Sequence, residues 1–555
     1  MDAKKITISD LIDEIERRVE DKILERENAD LLIKLINKAD SLTEAITIAQ
    51  LGTTYRRTGL HYDKRIEKFS DTIKYFRKNE RLSFTDGSDK PHHKLIIGDN
   101  YEALLNLLIE YTGRIDVIYI DPPYGKDSMG EFANTNYNNA LTRDNLLSML
   151  YPRLVLAKQL LSDEGVIFCS IDDKNQAYVK CLFDEVFGEK NFIGTLIWQS
   201  ATDNNPRQIS TEHEYIISFC KIRGNQSNWL AKSEKAKMIE EKYLELKQST
   251  DDVVTIQNNL RIWIKANKHL LQGVAHYNNV DEKGVYSNSS NSSNTKPGGY
   301  TFDIIHPVTH KACVKPEYGW RWTEKTFANY DKAGDIEWGK DETTQPHVKK
   351  RIETVREQLK SVCYEDGRVA TKLLERIFGS KKIFDNPKPN NLIVRLISYL
   401  TANRDDCVVL DFFAGSGTTG HATLDLNKTD GGNRTFILCQ LNEVTETTPN
   451  GIAYDVTSKR LKRVMTGSCY DGTTDFAWLK DNEPYGGSLD VYEIESVSNA
   501  EHECGKTPFD VIDETLYGQK KFQNLKDKIR WVCENFENTQ RCLDRDEKRH
   551  NDEED

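Results

Sequence analysis

The sequence predicts an α/β protein built on a doubly wound, mostly parallel sheet that a separate module interrupts. Between residues 94 and 220, short apolar runs rich in β-branched residues alternate with helix-like segments. This alternation is typical of parallel strands joined by crossover helices that cover both faces of a sheet. The same alternation returns between residues 391 and 441, after a stretch of irregular character over about 224–381. One sheet with an insertion explains this pattern better than two unrelated α/β domains.

Seven strands follow from this pattern, five before the insertion and two after it. Their runs are rich in Val and Ile, which favours strands buried on both faces. The predicted strands cover residues 94–97, 114–120, 165–171, 192–198, 214–220, 406–411 and 434–441. The predicted helices among them cover residues 101–110, 145–161 and 391–401.

Both ends of the chain differ from the α/β pattern. We predict a helical region over residues 1–90, because apolar residues from Ile8 to Leu35 recur mostly at every third or fourth position. Such a stripe packs either inside its own domain or against a second copy of the chain. Residues 467–555 are predicted to form a mixed C-terminal domain that ends in a charged tail.

Composition excludes several classes of protein. Of the 555 residues 38% are hydrophobic, and no apolar run approaches the roughly 18–20 residues that cross a bilayer. The amino terminus lacks the apolar core of a signal peptide, and the 11 cysteines include no C-x-x-C pair. We therefore expect a reduced, cytoplasmic protein without membrane contact. His306, His310 and Cys313 have metal-like spacing but no convincing fourth ligand, so we predict a structural role and no metal site.

The first motif that predicts chemistry is Asp121-Pro122-Pro123-Tyr124, directly after a buried strand. The prolines fix φ and donate no amide hydrogen, so the loop is rigid and its carbonyls can accept hydrogen bonds. Asp121 and the Pro122 carbonyl suit the two N–H groups of an exocyclic amine, and Tyr124 suits the ring of its base. A base in a duplex reaches such a pocket only when it is flipped out. The alternative is a surface turn that merely ends the strand, and His213-Glu214-Tyr215 is interpreted as packing near this pocket.

The second motif is a strand, a glycine turn and a helix over residues 408–420. Glycines allow positive φ and let backbone amides approach an anionic group at a helix N-terminus. The glycine spacing also matches the dinucleotide fingerprint, but a dehydrogenase would have an acidic residue where the next strand ends in Gln440. S-adenosylmethionine, which has a ribose and no pyrophosphate, fits equally well, and a purely structural glycine turn is the third interpretation. The residues predicted to bind this cofactor are Asp411, Phe412, Ala414, Gly415, Ser416, Gly417, Gln440 and Glu443.

Together the two motifs predict a transfer reaction. In a doubly wound sheet, ligands lie at the carboxyl ends of strands near the switch point, and both motifs follow such ends. One motif can hold a methyl donor and the other an amino acceptor. Methyl transfer would then require little more than positioning and preformed hydrogen bonds.

The two motifs in this order resemble those of the β-class amino DNA methyltransferases, whose catalytic half precedes the cofactor half. More closely, the chain resembles the modification (Mod) subunits of type III restriction–modification systems, over about residues 94–198 and 384–464. The matching anchors are Ile-Ile-Gly98-Asp99-Asn100, Ile-Asp-Pro-Pro-Tyr, Leu160-Leu-Ser-Asp-Glu-Gly-Val-Ile-Phe-Cys-Ser-Ile-Asp172-Asp173, His213-Glu-Tyr-Ile, Trp320-Arg-Trp, Phe412-Phe-Ala-Gly-Ser-Gly, Asn386-Pro-Lys388-Pro and Tyr454-Asp-Val-Thr.

This resemblance implies a seven-stranded, circularly permuted methyltransferase sheet with the catalytic half first. It implies methylation of adenine N6, since amino-cytosine relatives more often have Ser in place of Asp121. It also implies that Asp99 and Lys388 line the cofactor pocket, whereas Gln440 departs from the acidic ribose ligand of many members. The implied domains are a helical region (1–90), the catalytic half (91–223), a target-recognition domain (224–381), the cofactor half (382–466) and a C-terminal domain (467–555).

We therefore predict a site-specific adenine N6 methyltransferase that uses S-adenosylmethionine and acts on double-stranded DNA. The alternatives are the same chemistry on cytosine N4, a non-catalytic DNA-specificity subunit for a restriction partner, and an NAD-dependent oxidoreductase. The predicted protein partners are a second copy of the chain, from the terminal helix and the resemblance, and a restriction (Res) subunit. Because the formal net charge is −12, we expect weak nonspecific DNA affinity and a strong dependence on base contacts.

Overall fold

The computed structural model describes residues 7–20, 24, 26–51, 72–88, 90–124, 142–200, 208–289, 292–380, 382–402, 404, 406–498 and 507–536. The chain divides into two compact units. Unit 1 comprises residues 1–226, 360–397 and 404–555, and unit 2 comprises residues 227–359 and 398–403. The insertion predicted over 224–381 is therefore shorter than expected, because residues 360–381 belong to unit 1.

Three helices form the amino-terminal part of unit 1: α1 (Ile8–Glu20), α2 (Arg26–Ile36) and α3 (Leu42–Leu51). The predicted apolar stripe belongs to α1 and α2, whose buried faces meet α3 inside one chain. The buried residues of this cluster are Ile15, Ala29, Ile36, Ala45 and Ala49. The helical prediction for residues 1–90 is wrong at its carboxyl end, because residues 72–78 form a strand that pairs into the main sheet.

The next part of unit 1 has the predicted alternation of strands and helices. Its strands are β1 (Thr72–Lys78), β2 (His92–Ile97), β3 (Ile115–Ile120), β4 (Leu161–Ile171), β5 (Phe192–Gln199) and β6 (His213–Cys220). Its helices are α4 (Asn100–Tyr111), α5 (Thr142–Leu160) and α6 (Gln176–Phe187). β3 and β4 are buried along most of their length, as expected for strands that helices cover on both faces.

Unit 2 combines three helices with short strands. Its helices are α7 (Glu234–Ser249), α8 (Val253–Ala266) and α9 (Glu324–Lys332). Its strands are β7 (Leu230–Lys232), β8 (Asn279–Asp281), β9 (Gly284–Ser287), β10 (Ile336–Glu337), β11 (His347–Val348), β12 (Lys350–Arg351) and β13 (Arg356–Gln358). Two apolar clusters hold this unit together, one that includes Ile239 and Leu260 and one that includes Trp320 and Phe327.

After unit 2 the α/β pattern resumes. The strands are β14 (Val362–Tyr364), β15 (Val408–Asp411), β16 (Thr435–Gln440) and β17 (Ser488–Ser498). The helices are α10 (Arg368–Phe378), α11 (Asn390–Leu400), α12 (Thr418–Asp430), α13 (Lys459–Thr466), α14 (Pro508–Val511) and one over residues 525–536, and a π-helix (Ala453–Ser458) precedes α13.

The ten strands of unit 1 form one sheet in the order β1-β17-β2-β16-β15-β3-β4-β6-β5-β14. β1 and β6 run antiparallel to their neighbours, and every other pair is parallel. The seven predicted strands lie side by side from β2 to β5, which confirms the predicted mostly parallel sheet. β1, β17 and β14 extend it, so part of the predicted C-terminal domain belongs to the sheet.

Apolar side chains cover both faces of this sheet. Along β2, Ile96 belongs to one buried cluster, whereas Leu95 and Ile97 belong to another, as alternating strand residues should. Helices α4, α5 and α6 contribute to the first cluster, and α12 and α13 contribute to the second. Among the described residues, no helix is long and apolar enough to cross a membrane. With both faces covered by apolar clusters, the carboxyl ends of the parallel strands lie along one edge of the sheet.

Candidate active site

The two predicted motifs follow neighbouring strands. β3 and β15 are parallel, with Val117 opposite Val409 and Ile118 opposite Leu410. The Asp121–Tyr124 segment follows β3, and the glycine loop follows β15. Parallel neighbours end at the same edge of a sheet, which is where α/β proteins bind ligands. The structure thus brings together two segments that lie far apart in the sequence.

Contacts inside the fold hold the Asp121–Tyr124 segment. The Tyr124 hydroxyl donates to Oδ1 of Asp121. The Tyr124 carbonyl accepts from Nδ2 of Asn175 at 2.9 Å, and Oδ1 of Asp172 accepts from the same amide at 2.8 Å. Burial, and then the charges of Asp121 and Glu214, raise the pKa of Tyr124 well above its usual range. The Tyr124 hydroxyl therefore remains a donor at neutral pH.

This segment presents two hydrogen-bond acceptors beside an aromatic ring. Oδ1 of Asp121 is already used by Tyr124. Within the part of the chain that the structure describes, no group donates to Oδ2 of Asp121 or to the carbonyl of Pro122. Pro122 and Pro123 lack amide hydrogens, so nothing in the segment competes for these acceptors. An amino group with two N–H donors is the complementary partner.

Lys388 and Glu214 surround this acceptor pair. Nζ of Lys388 lies 2.8 Å from Oε2 of Glu214, 3.1 Å from Oδ1 of Asp121 and 3.1 Å from the Tyr124 hydroxyl. The same Nζ lies 5.5 Å from the ring centroid of Trp198, at the end of β5. The structure therefore places Lys388, which the family resemblance assigns to the cofactor pocket, in contact with the acceptor segment.

Glu214 lies in the site, in contact with Lys388, although the sequence predicts only packing for it. β6 is antiparallel to β4 and β5, so its first residues lie at the edge where those strands end. An acidic residue at the start of an antiparallel strand is the signal that could have identified it. That signal is weak without the strand order, because most such residues are simply solvated.

A buried carboxylate supports the glycine loop. Asp411 accepts from the Phe413 amide at 3.0 Å and from the Thr419 hydroxyl at 2.6 Å. Burial raises the pKa of Asp411 to about 7, even though both hydrogen bonds favour the ionised form. The structure thus places Asp411, a predicted cofactor contact, beneath the loop, where both oxygens bond to the protein.

Two residues of the loop have a backbone conformation that favours glycine. Gly415 has φ 51° and Gly417 has φ 80°, values that favour glycine. A Cβ on Gly415 would lie 3.1 Å from the ring of Phe384. Gly415 is partly exposed, whereas Phe412, Ala414 and Ser416 are buried. Gly415 is therefore a partly exposed position of a mostly buried loop, shortly before the N-terminus of α12.

Gln440 holds the glycine loop from the neighbouring strand. Its Oε1 accepts from the Gly415 amide at 2.6 Å, and its Nε2 donates to the Leu441 carbonyl at 2.9 Å. Both polar ends of this side chain are thus used inside the fold. Glu443, the other residue predicted to contact a ribose, lies three residues further on and is half-buried.

Asp99 anchors a second network at the same edge. It caps α4 by accepting from the Tyr101 amide at 2.7 Å, and it lies 3.0 Å from Nη2 of the fully buried Arg153. Arg153 also donates to the Asn100 side chain, which in turn donates to the Phe412 carbonyl at 2.8 Å. This network of contacts connects the end of β2 with the glycine loop. Arg153 was not predicted, because its position inside a helix gives no sign of this contact.

Residues after β16 complete the support of the loop. The Thr457 hydroxyl, in the π-helix, donates to the Gly415 carbonyl at 2.6 Å. Nη1 of the buried Arg460 donates to the hydroxyls of Ser416 and Thr418, each at 3.0 Å. Burial lowers the pKa of Arg460 to about 9. Ser416, a predicted cofactor contact, therefore uses its hydroxyl within the protein.

The histidine and cysteine cluster noted in the sequence lies in unit 2. Nδ1 of His306 accepts from the Thr309 amide at 3.2 Å, and its Nε2 lies 3.1 Å from the Gly339 carbonyl. Among the described residues, no group of three or more His, Cys, Asp or Glu side chains is arranged to hold a metal ion.

Two family models match the chain. One, described as a DNA methylase, matches residues 115–448, which is more than half of the chain and includes both motifs of the site. The other, described as an uncharacterised conserved protein, matches residues 9–117.

Individual relatives match as well. The type III restriction-modification enzyme EcoP15I Mod subunit of Escherichia coli is 34% identical over 405 residues, which are 67% of this chain and 63% of that protein. The StyLTI Mod subunit of Salmonella typhimurium is 30% identical over 388 residues, 63% of this chain and 53% of that protein. The chain thus spans less than two thirds of the length of these curated relatives. The solved PvuII DNA methyltransferase (cytosine-N4-specific) aligns with a TM-score of 0.32 at 10% identity, over 63% of this chain and 83% of that chain.

Proposed function

Because the chain belongs to the DNA methylase family that matches residues 115–448, we propose that it transfers a methyl group from S-adenosylmethionine to the N6 amino group of a flipped-out adenine in DNA. The observation that carries this proposal is the meeting of the Asp121–Tyr124 segment and the glycine loop on neighbouring parallel strands. The named Mod subunits support the further proposal that the chain is the modification and specificity subunit of a type III restriction–modification system.

The residues at the cofactor end suit S-adenosylmethionine. The adenosine part has N–H and O–H donors, and Asp99 and Glu443 are half-buried acids after β2 and β16. The carboxylate suits the N-terminus of α12, which follows the glycine loop and favours negative charge. When bound, the cofactor supplies an electrophilic methyl carbon attached to a sulfonium. Asp99, Glu443 and the loop from Phe412 to Gly417 are the residues that would hold it.

The acceptor end accounts for recognition of an amino group. Oδ2 of Asp121 and the carbonyl of Pro122 accept the two N–H bonds of the amine, and this directs its nitrogen towards the glycine loop. The ring of Tyr124, fixed through its hydroxyl on Asp121, stacks on the base. Transfer of the methyl group to this nitrogen would form one C–N bond, break the C–S bond of the donor and leave one proton of the amine to be released. Asp121 is the carboxylate in contact with that proton.

The target must leave the duplex to reach these groups. Flipping a base costs roughly a few kcal/mol, which stacking on Tyr124 and the two hydrogen bonds to the amine offset. The choice of adenine rests on the resemblance, in which Asp121 is typical of N6 methylation. Cytosine also has an exocyclic amine, so the identity of the methylated base is the decisive readout.

Unit 2 is proposed as the target-recognition domain, because it is a separate compact unit with apolar clusters of its own.

The proposed protein partners are a restriction subunit and a second copy of the chain, in the cytoplasm. In support of a homodimer, Leu31 and Leu35 lie one turn apart on α2 and are 55% and 41% exposed. Light scattering of the chain and of its Leu31→Ser/Leu35→Ser variant tests this. We expect a dimer that the variant weakens, and a monomer at micromolar concentration would contradict it.

Transfer of a labelled methyl group tests the proposed function. The protein is incubated with methyl-tritiated S-adenosylmethionine and plasmid DNA from a strain without adenine methylation, and the nucleosides are separated after digestion. We expect the label in N6-methyladenine. Label in N4-methylcytosine would overturn the choice of base, and site-specific DNA binding without any transfer would overturn the enzymatic assignment.

A further inference from the structure

Among the described residues, the hydrogen-bonding partners of the Lys388 ammonium all lie at the acceptor end of the site. An ammonium has three N–H donors, and each has an acceptor here: Oε2 of Glu214, Oδ1 of Asp121 and the Tyr124 hydroxyl. The Lys388 side chain is only 9% exposed, so these contacts replace water. Nothing in this geometry leaves a donor of Lys388 for the cofactor.

The charges in this cluster do not cancel. Asp121 and Glu214 contribute two carboxylates, and Lys388 contributes one ammonium. Burial lowers the pKa of Lys388, but the charges of Asp121 and Glu214 outweigh burial and hold that pKa above its usual value. Lys388 is therefore a cation at neutral pH. Its removal would leave two carboxylates around one shared space, where like charges favour uptake of a proton.

We propose that Lys388 is a positioning residue for the amine acceptor, held in place by Glu214, and that it is not a cofactor ligand; this inference rests on the proposed function. Lys388 and Tyr124 both contact Oδ1 of Asp121, which fixes the plane of the carboxylate and leaves Oδ2 for the amine. Glu214 takes the third donor of Lys388 and so fixes Nζ between Asp121 and Tyr124. Nζ of Lys388 also donates to the Tyr124 hydroxyl and so fixes that end of the ring that stacks on the base.

Other titratable groups interact with Asp121 from the neighbouring strands. They are Tyr119 on β3, Cys169 on β4 and Asp411 on β15. Burial raises the pKa of Tyr119 and of Cys169 well above their usual ranges, so both stay neutral near pH 7. Asp411, with a pKa of about 7, is unchanged in the Lys388 and Glu214 variants that are compared here. Its titration is therefore common to all the pH profiles that are compared.

Cofactor binding distinguishes a positioning role of Lys388 from a role as cofactor ligand. Lys388→Met removes the charge at similar length, and Lys382→Met is a matched control in the same segment, where Lys382 is exposed. We expect Lys388→Met to bind S-adenosylmethionine within about twofold of the wild type in calorimetry, while its kcat on plasmid DNA falls by about 10–100-fold because Asp121 is misplaced. The control should retain both values. Cofactor binding weakened about tenfold in Lys388→Met, which is about 1.4 kcal/mol, would overturn the proposal.

A double variant, Lys388→Met with Glu214→Gln, separates a loss of positioning from a loss of folding. In Lys388→Met the like charges of Asp121 and Glu214 favour proton uptake, so the acid limb of kcat should move to higher pH. Adding Glu214→Gln removes that repulsion. The double variant should therefore regain roughly threefold or more of the lost kcat at pH 7, and its acid limb should return towards the wild-type position. Additive losses with an unmoved acid limb would overturn the proposal.

Failure of the wild type to transfer a methyl group would instead refute the proposed function. The cofactor affinities of the variants would still decide the role of Lys388.

Discussion

Replacement of Gly415 with alanine should weaken cofactor binding as well as the fold. Gly415 has φ 51°, so an L-residue there costs about 1–2 kcal/mol. Its Cβ would lie 3.1 Å from the ring of Phe384, and this crowding adds about 1–3 kcal/mol to the free energy lost. Phe384 precedes Lys388 by four residues, in the segment that leads to α11. Displacement of Phe384 therefore disturbs the glycine loop and the acceptor end together.

Gly431 provides the matched control for this substitution. It ends the same helix, α12, with φ 77°, and no atom lies within 4 Å of a Cβ placed there. It is roughly 20 Å from the glycine loop along the helix axis. Alanine at Gly431 should therefore cost only the backbone term of about 1–2 kcal/mol.

Urea denaturation and calorimetric titration with S-adenosylmethionine measure the two effects separately. Both variants should lose stability, and Gly415→Ala should lose more. Only Gly415→Ala should raise the Kd of the cofactor, by about tenfold for each 1.4 kcal/mol of binding free energy lost. Equal cofactor affinity in the two variants would refute the assignment of this loop to the cofactor.

Two further predictions concern buried charges in unit 1. Arg153→Met removes the buried cation that bonds to Asp99 and Asn100, so the free energy of unfolding should fall by about 1–3 kcal/mol. Arg376→Met, at an exposed ion pair, should cost less than about 1 kcal/mol, and similar losses for both in urea titrations would contradict the buried network. Burial raises the pKa of Asp411 to about 7, so the folded chain binds the additional proton between the ordinary carboxyl pKa and that value, and it loses stability as the pH rises through this range. Asp411→Asn should remove that loss. The difference in thermal midpoint between this variant and the wild type should therefore shift in favour of the variant from pH 5 to pH 8. A difference that does not change with pH would contradict the raised pKa.

The central sheet could be predicted because its strands are buried on both faces. Such strands have continuous apolar runs, as in residues 115–120, and these are visible without any knowledge of their neighbours. β17 was missed because it alternates apolar and polar residues outside the strand–helix alternation. β14 has only three residues, too few for a pattern. Strands at the margins of a sheet thus depend on pairing that the sequence does not display.

The candidate site could be predicted only where its residues follow one another. The Asp121–Tyr124 segment and the glycine loop are local motifs, each placed by the strand before it. Glu214 and Arg153 act across strands and helices, and no periodicity in the sequence reports such contacts. Gln440 likewise contacts a residue from another part of the sequence, which no local motif reports. Its ribose contact stays a prediction, while the structure adds a hydrogen bond to the Gly415 amide that sequence reasoning did not foresee.

Substitution of Asp121 tests the central claim most directly. Asp121→Asn removes the charge that accepts the amine, and Asp173→Asn, at an exposed carboxylate near the same edge, is its control. For Asp121→Asn we predict unchanged S-adenosylmethionine binding and a fall in the rate of N6-methyladenine formation by roughly 10²–10³, with the control close to the wild-type rate. N6-methyladenine formed at the wild-type rate by Asp121→Asn would contradict the account.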